Sequence, residues 1–176
     1  MKLLHGMGRF FLVAAVIALS LILFQRDALA STRGSAPRLE ATFASPEIAP
    51  GATWKVYFKG TDPDGDLAFI HAWLSIPGHS TTPVRFPVYR DQCNAVSGYL
   101  DLGTFEFGAG LKDIRLTGLR LWVSLEDQTG HRSEVATLKL DFYLGARPSS
   151  PPSGVFEEKF SGRIPGVFLT PGGGGR

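Results

Sequence analysis

The sequence predicts an all-β fold: a seven-strand antiparallel β-sandwich with a cleaved N-terminal signal and an extended C-terminal tail. Three observations carry this expectation. Between Leu39 and Tyr143, segments of five to eleven residues alternate apolar and polar side chains, and Gly, Pro and Asp turns separate them. No window of the mature chain sustains a helical period. The turn Asp62-Pro63-Asp64-Gly65-Asp66 stands between two strand-like runs. Its Pro and Asp pre-set a type I turn, and Gly65 supplies the positive φ that closes a bulged hairpin.

Residues 1–30 read as a secretory signal. Lys2 and Arg9 form a basic start, Phe10 to Phe24 is apolar except for Ser20, and Ala28-Leu29-Ala30 fits the small-x-small cleavage pattern. The apolar run spans roughly 22 Å as a helix, short of the ~30 Å hydrocarbon core, which favours cleavage over a membrane anchor. The expected location is therefore exported, periplasmic or extracellular. Without the leader the chain holds 15 basic and 15 acidic residues. A neutral chain with no Lys/Arg run argues against nucleic-acid binding. Cys93 is the single cysteine, so the domain rests on its apolar core, and a partly buried small apolar residue is the favoured reading of Cys93.

Residues 31–37 form a short polar N-terminus, and the sandwich spans 38–146. Leu39 to Phe43 is strand A, ended by Pro46 and Pro50-Gly51. Trp54, Val56 and Phe58 alternate with Lys55, Tyr57 and Lys59 in a half-buried strand B. Leu67 to Ile76 is apolar on both faces, as a central strand C should be. Val84 to Tyr89 is a short strand C′, and Pro87 assigns it to an edge. Arg90 to Val96 reads as a polar loop, and Tyr99 to Phe107 as strand E. In strand F, Leu119, Leu121, Val123 and Leu125 alternate with Arg120, Trp122, Ser124 and Glu126; after Asp127-Gln128-Thr129-Gly130 comes strand G, Val135 to Tyr143.

Residues 147–154 are a Pro/Ser linker by composition. Residues 155–176 form a Gly/Pro-rich tail with apolar islands at Val155-Phe156, Phe160 and Ile164 to Leu169. Apolar islands are unusual in a solvated tail. They either dock on the sandwich or engage another protein.

In an antiparallel sandwich of this order the B–C, C′–E and F–G loops share one end. That end would gather Asp62, Asp64 and Asp66 with Arg90, Asp91, Cys93, Asn94, Asp127, His131 and Arg132. Thr61 to Leu67 resembles the B–C hairpin of bacterial extracytoplasmic immunoglobulin-like, cadherin-like and fibronectin-type-III-like modules, and Leu125 to Ser133 resembles their F–G hairpin. The resemblance implies an Ig-like sandwich with a binding, spacer or assembly role rather than catalysis.

Two candidate sites follow. Asp62, Asp64, Asp66 and Asp127 supply oxygens of the kind calcium takes, although the Gly65 spacing excludes an EF-hand. The competing and favoured reading is that these carboxylates shape turns. Calcium is thus the one cofactor the residues admit, and no other is expected. The second candidate is aromatic. One strand phase places Phe69, Trp73 and Trp122 on an outer face, a patch that would stack on sugar rings or receive a protein, with Phe168 of the tail as a further contact or an intramolecular cover. The other phase, slightly favoured, buries Trp73 as the strand-C Trp of immunoglobulin sandwiches.

No His-x-x-x-His, Cys-x-x-Cys or Gly-x-Ser-x-Gly spacing occurs. The expected function is a non-enzymatic exported module that binds a protein or polysaccharide at the cell envelope. A calcium-stabilised adhesion or polysaccharide-binding module is the alternative, and a hydrolase using Cys93 and His131 a distant third.

Overall fold

The computed structural model describes residues 34–76, 79–80, 82–103 and 115–164. The leader and Phe168 lie outside them. The described strands are β1 (Arg38–Ala44), β2 (Glu47–Ile48), β3 (Thr53–Thr61), β4 (Leu67–Ile76), β5 (His79–Ser80), β6 (Val84–Pro87), β7 (Ala95–Gly103), β8 (Arg115–Asp127), β9 (Ala136–Tyr143) and β10 (Phe160–Ile164). They form two facing sheets. One has the order β1-β3-β7-β10; the other runs β2-β9-β8-β4, with β5 and β6 both paired to the far edge of β4. The fold is an all-β sandwich.

Period-two alternation decides what the sheets bury between them. Trp54, Val56 and Phe58 of β3 and Val96, Leu100 and Leu102 of β7 face Ile70, Ala72 and Leu74 of β4 and Leu119, Leu121, Val123 and Leu125 of β8. Two bulges keep this phase. Leu67 and Ile70 are three residues apart yet both buried, because the register slips by one residue between Leu67 and Phe69. On β8 the slip between Leu116 and Leu119 falls at Gly118, whose φ of 76° suits a glycine.

The structure corrects four expectations. First, the acidic turn closes no hairpin. Its flanking strands β3 and β4 lie in different sheets, and the chain crosses between them. The crossing is held by the β6–β7 connection: Asp62 N donates to Asn94 O (2.9 Å) and Leu67 N to Cys93 O (3.1 Å). The local turn is as expected, with Gly65 N donating to Asp62 O (3.2 Å) and Gly65 at φ 73°.

Second, strand E begins earlier, at Ala95, because the long β3 pairs Thr61 with Ala95 and Gly60 with Val96. Only the 3₁₀ turn Arg90–Gln92 and the next two residues remain of the polar loop. Third, the sheets are not purely antiparallel: β2 pairs β9 in parallel, and β10 pairs β7 in parallel. After β1 the chain bends at Ser45-Pro46 and transfers to the other sheet, where Asp141 N donates to Pro46 O (2.8 Å).

Fourth, Trp73 is not the core tryptophan. That place belongs to Trp54, 1% exposed, whose Nε1 donates to Ser45 O at 2.8 Å.

The first apolar islands of the tail dock on the domain. Phe156 packs on Tyr57 and Phe160 on Tyr99. Glu158 accepts from Lys55 Nζ (2.7 Å) and Tyr57 Oη (2.6 Å). Arg163 grips Asp101 with two hydrogen bonds of 2.9 and 3.0 Å, and Ile164 enters the core at 2% exposure. The tail thus supplies the fourth strand of the first sheet.

Candidate functional site

The loop end and the outer face of the β9-β8-β4-β6 sheet carry the predicted site residues that fall among the described ones; Phe168 lies outside them. At the loop end Asp62 and Asp127 are both buried. Gln128 N donates to Asp66 O (3.0 Å), which ties the β8–β9 turn to the acidic turn. Most of these carboxylates serve the backbone. Asp62 Oδ1 accepts from Asp64 N (3.1 Å), and Asp64 reaches back to Ser35 N. Asp127 Oδ1 accepts from His131 N (2.8 Å) and Thr129 Oγ1 (2.9 Å), while its Oδ2 lies 3.0 Å from His131 Nδ1. Burial raises the Asp127 pKa, but the hydrogen bonds from Thr129 and His131 together hold it below the usual value.

Asp62 Oδ2 and Asp66 Oδ1 are buried and meet no N–H or O–H donor among the described residues. Burial pushes the Asp66 carboxyl upward, and so do its hydrogen bond with Asp62 and the charges of Asp62, Asp127 and Asp64. Among the described residues no three His, Cys, Asp or Glu side chains gather as a metal-holding group.

The raised Asp66 carboxyl has a testable pH signature. A carboxyl whose folded pKa is raised stabilises the fold below its ordinary pKa of 3.8 and loses that contribution as pH rises through the folded value. Asp66→Asn keeps the shape without the charge. Thermal melts should show it a few degrees more stable than the parent at neutral pH, with the gain vanishing in strong acid. A lower Tm at neutral pH would contradict the upward shift of the Asp66 carboxyl.

Cys93 and His131 do not form a nucleophile–base pair among the described contacts. Cys93 Sγ lies 3.7 Å from Tyr89 O, and the His131 ring is engaged by Thr129 Oγ1 (2.7 Å) and Asp127. A surface hollow of about 190 Å³ between Trp54, Tyr57 and Pro148 to Pro151 is small for a ligand site.

The outer face of the second sheet is richer. With Leu119 to Leu125 turned inward, Arg120, Trp122, Ser124 and Glu126 face out, beside Phe69, His71 and Trp73 of β4. The register places Trp73 opposite Trp122, and the two indoles stack with centroids 5.7 Å apart and planes 18° apart. Both are half-buried.

Next to them lies a charged cluster. Glu126 Oε2 accepts from Arg132 Nε (2.7 Å) and Oε1 from Arg85 Nη2 (3.3 Å), and the Arg85 guanidinium sits 4.0 Å above the Phe69 ring. His71 Nε2 is 2.9 Å from Glu126 Oε2. Burial lowers the His71 pKa despite that carboxylate, with Arg132 and Arg85 pushing the same way. Phe69 is therefore a base for Arg85 as well as part of the aromatic patch. The described part of the tail lies on the opposite sheet, so it does not cover Trp73 and Trp122.

Sequence reasoning did not single out Arg120 and Lys139. They flank the tryptophans one step along the ladder, directly opposite each other on β8 and β9.

No family model matches this chain, and no curated protein does. Among solved structures it is similar to a PKD domain of an M14-like peptidase from Thermoplasmatales archaeon SCGC AB-540-F20, at 14% identity and a TM-score of 0.34, over 62% of this chain and 98% of that one.

Proposed function

We propose that this chain is an exported, non-enzymatic β-sandwich module that binds a polysaccharide or protein at the cell envelope through the outer face of its second sheet. The observation that carries the reading is the stacked Trp73–Trp122 pair, held half-buried outside the core. Aromatic side chains cost solvation when displayed on a sheet face, and they offer flat apolar area to a ligand. The β4–β8 ladder presents them rigidly, without a flexible loop to order on binding.

Affinity electrophoresis of the intact chain through a panel of polysaccharides tests the reading. At least one gel should retard the parent, and Trp73→Ala/Trp122→Ala should run unretarded while still unfolding in a single cooperative transition. Equal retardation of the double variant would sink it, and no retardation of the parent in any gel would sink its polysaccharide arm.

A second reading, a calcium-stabilised module, draws on the donor-free oxygens of Asp62 and Asp66. Millimolar calcium would then raise Tm, and Asp66→Asn would remove that rise. Under the first reading calcium leaves Tm unchanged.

A further inference from the structure

The antiparallel register of β8 and β9 sets Arg120 directly opposite Lys139, with Ser75 of β4 on the other flank of Arg120. Both cations share the outer face with Trp122, because Leu119, Leu121 and Leu140 of the same strands point into the core. Both are exposed. Directly opposed residues bring their Cβ atoms to roughly 5 Å, and like charges so placed destabilise a sheet. Other cations on this face have partners of their own: Arg85 and Arg132 share Glu126, and Arg115 lies over the Tyr143 ring. Arg120 and Lys139 meet no carboxylate within salt-bridge distance among the described residues. The nearest acid along β9 on this face, Asp141, accepts from Gly118 N at 2.9 Å.

The face therefore joins an aromatic platform to a pair of uncompensated cations. Trp122 and Arg120 are two residues apart, about 7 Å along the strand, the scale of one sugar ring with its carboxylate. Pyranose C–H faces stack on indoles. A carboxylate placed between Arg120 and Lys139 relieves their repulsion and gains charge-assisted hydrogen bonds.

We propose that the ligand of this face is an acidic, uronate-bearing polysaccharide, with its rings on Trp73 and Trp122 and its carboxylates on Arg120 and Lys139. This rests on the outer-face reading above and names its ligand class.

The intact chain is run in affinity gels holding polygalacturonate, neutral dextran or poly-glutamate. Polygalacturonate should retard it, dextran and poly-glutamate should not, and added salt should weaken the retardation. Arg120→Gln/Lys139→Gln should bind polygalacturonate about tenfold more weakly, the sum of two modest ion pairs. Its Tm without ligand should equal or exceed that of the parent, since it removes a repulsion. Equal retardation by dextran overturns the charge argument, and equal retardation by poly-glutamate overturns the sugar. Retardation by dextran alone, lost in Trp73→Ala/Trp122→Ala, overturns this inference and leaves the outer-face reading standing. Failure in all three gels and in the wider panel overturns this inference and the polysaccharide arm of the outer-face reading.

Discussion

Ending the chain at Gly154 is expected to destabilise the domain severely, although the removed segment follows a Pro/Ser linker. Three losses coincide. Ile164 leaves a core site where it is 2% exposed, and losing a side chain of that size costs roughly 2–5 kcal/mol. The backbone of β7 loses its parallel partner β10 and becomes an open edge. Asp101, 7% exposed in the intact chain, loses both hydrogen bonds from Arg163.

A domain of this size has about 5–15 kcal/mol in total, so the truncated chain should unfold at much lower urea or aggregate through β7. Urea denaturation of the two lengths measures this, and an unchanged midpoint would show that β10 is an ornament. Ile164→Ala in the full chain separates packing from edge exposure and should cost roughly 3 kcal/mol. Arg163→Ala should cost less, because that guanidinium is 72% exposed. Gly162→Ala should also destabilise, since a Cβ there runs into the Phe86 ring.

The second large effect concerns which tryptophan holds the core. Trp54→Ala removes a fully buried indole and leaves Ser45 O without its donor. The expected cost is roughly 3–5 kcal/mol. Trp73→Ala and Trp122→Ala each remove one half of an outer stack and should cost about 1 kcal/mol. Equilibrium unfolding of the three variants decides the matter. If Trp73→Ala proves as damaging as Trp54→Ala, the sheet phase is the reverse of the one described and the outer-face site disappears with it.

That contrast also shows where sequence reasoning fell short. In β4, Phe69, His71 and Trp73 are as bulky as Ile70, Ala72 and Leu74, so a strand apolar on both faces has no readable phase. The favoured phase buried Trp73, whereas packing against Leu119 to Leu125 selected the aliphatic set. In β8 the phase was legible, because Arg120 and Glu126 admit only one orientation. The acidic turn was also legible, but its connection was not: Pro63 and Gly65 specify a turn and leave open whether the chain pairs with itself or crosses to another sheet.

The candidate site was half visible. Its aromatic members could be named from alternation, but Arg120 and Lys139 lie 19 positions apart in the chain, and only the inter-strand register makes them neighbours. The loop-end carboxylates could be named from the sequence, yet their hydrogen-bond duties depend on donors from Ser35, Asp64, Thr129 and His131.

By itself, then, the sequence determined the strand-rich architecture, the main turns and the inward face of β3 and β8. These are local properties, set by side-chain alternation and by the torsional habits of Pro, Gly and Asp. Tertiary structure alone decided the phase of β4, the sheet crossing at Asp62 to Asp66, the recruitment of Phe160–Ile164 as a fourth strand, and the Arg120–Lys139 opposition. The physical reason is common to all four. Each depends on which backbone edge or apolar surface, distant in sequence, was left unsatisfied, and that is settled only when the two sheets close on one another.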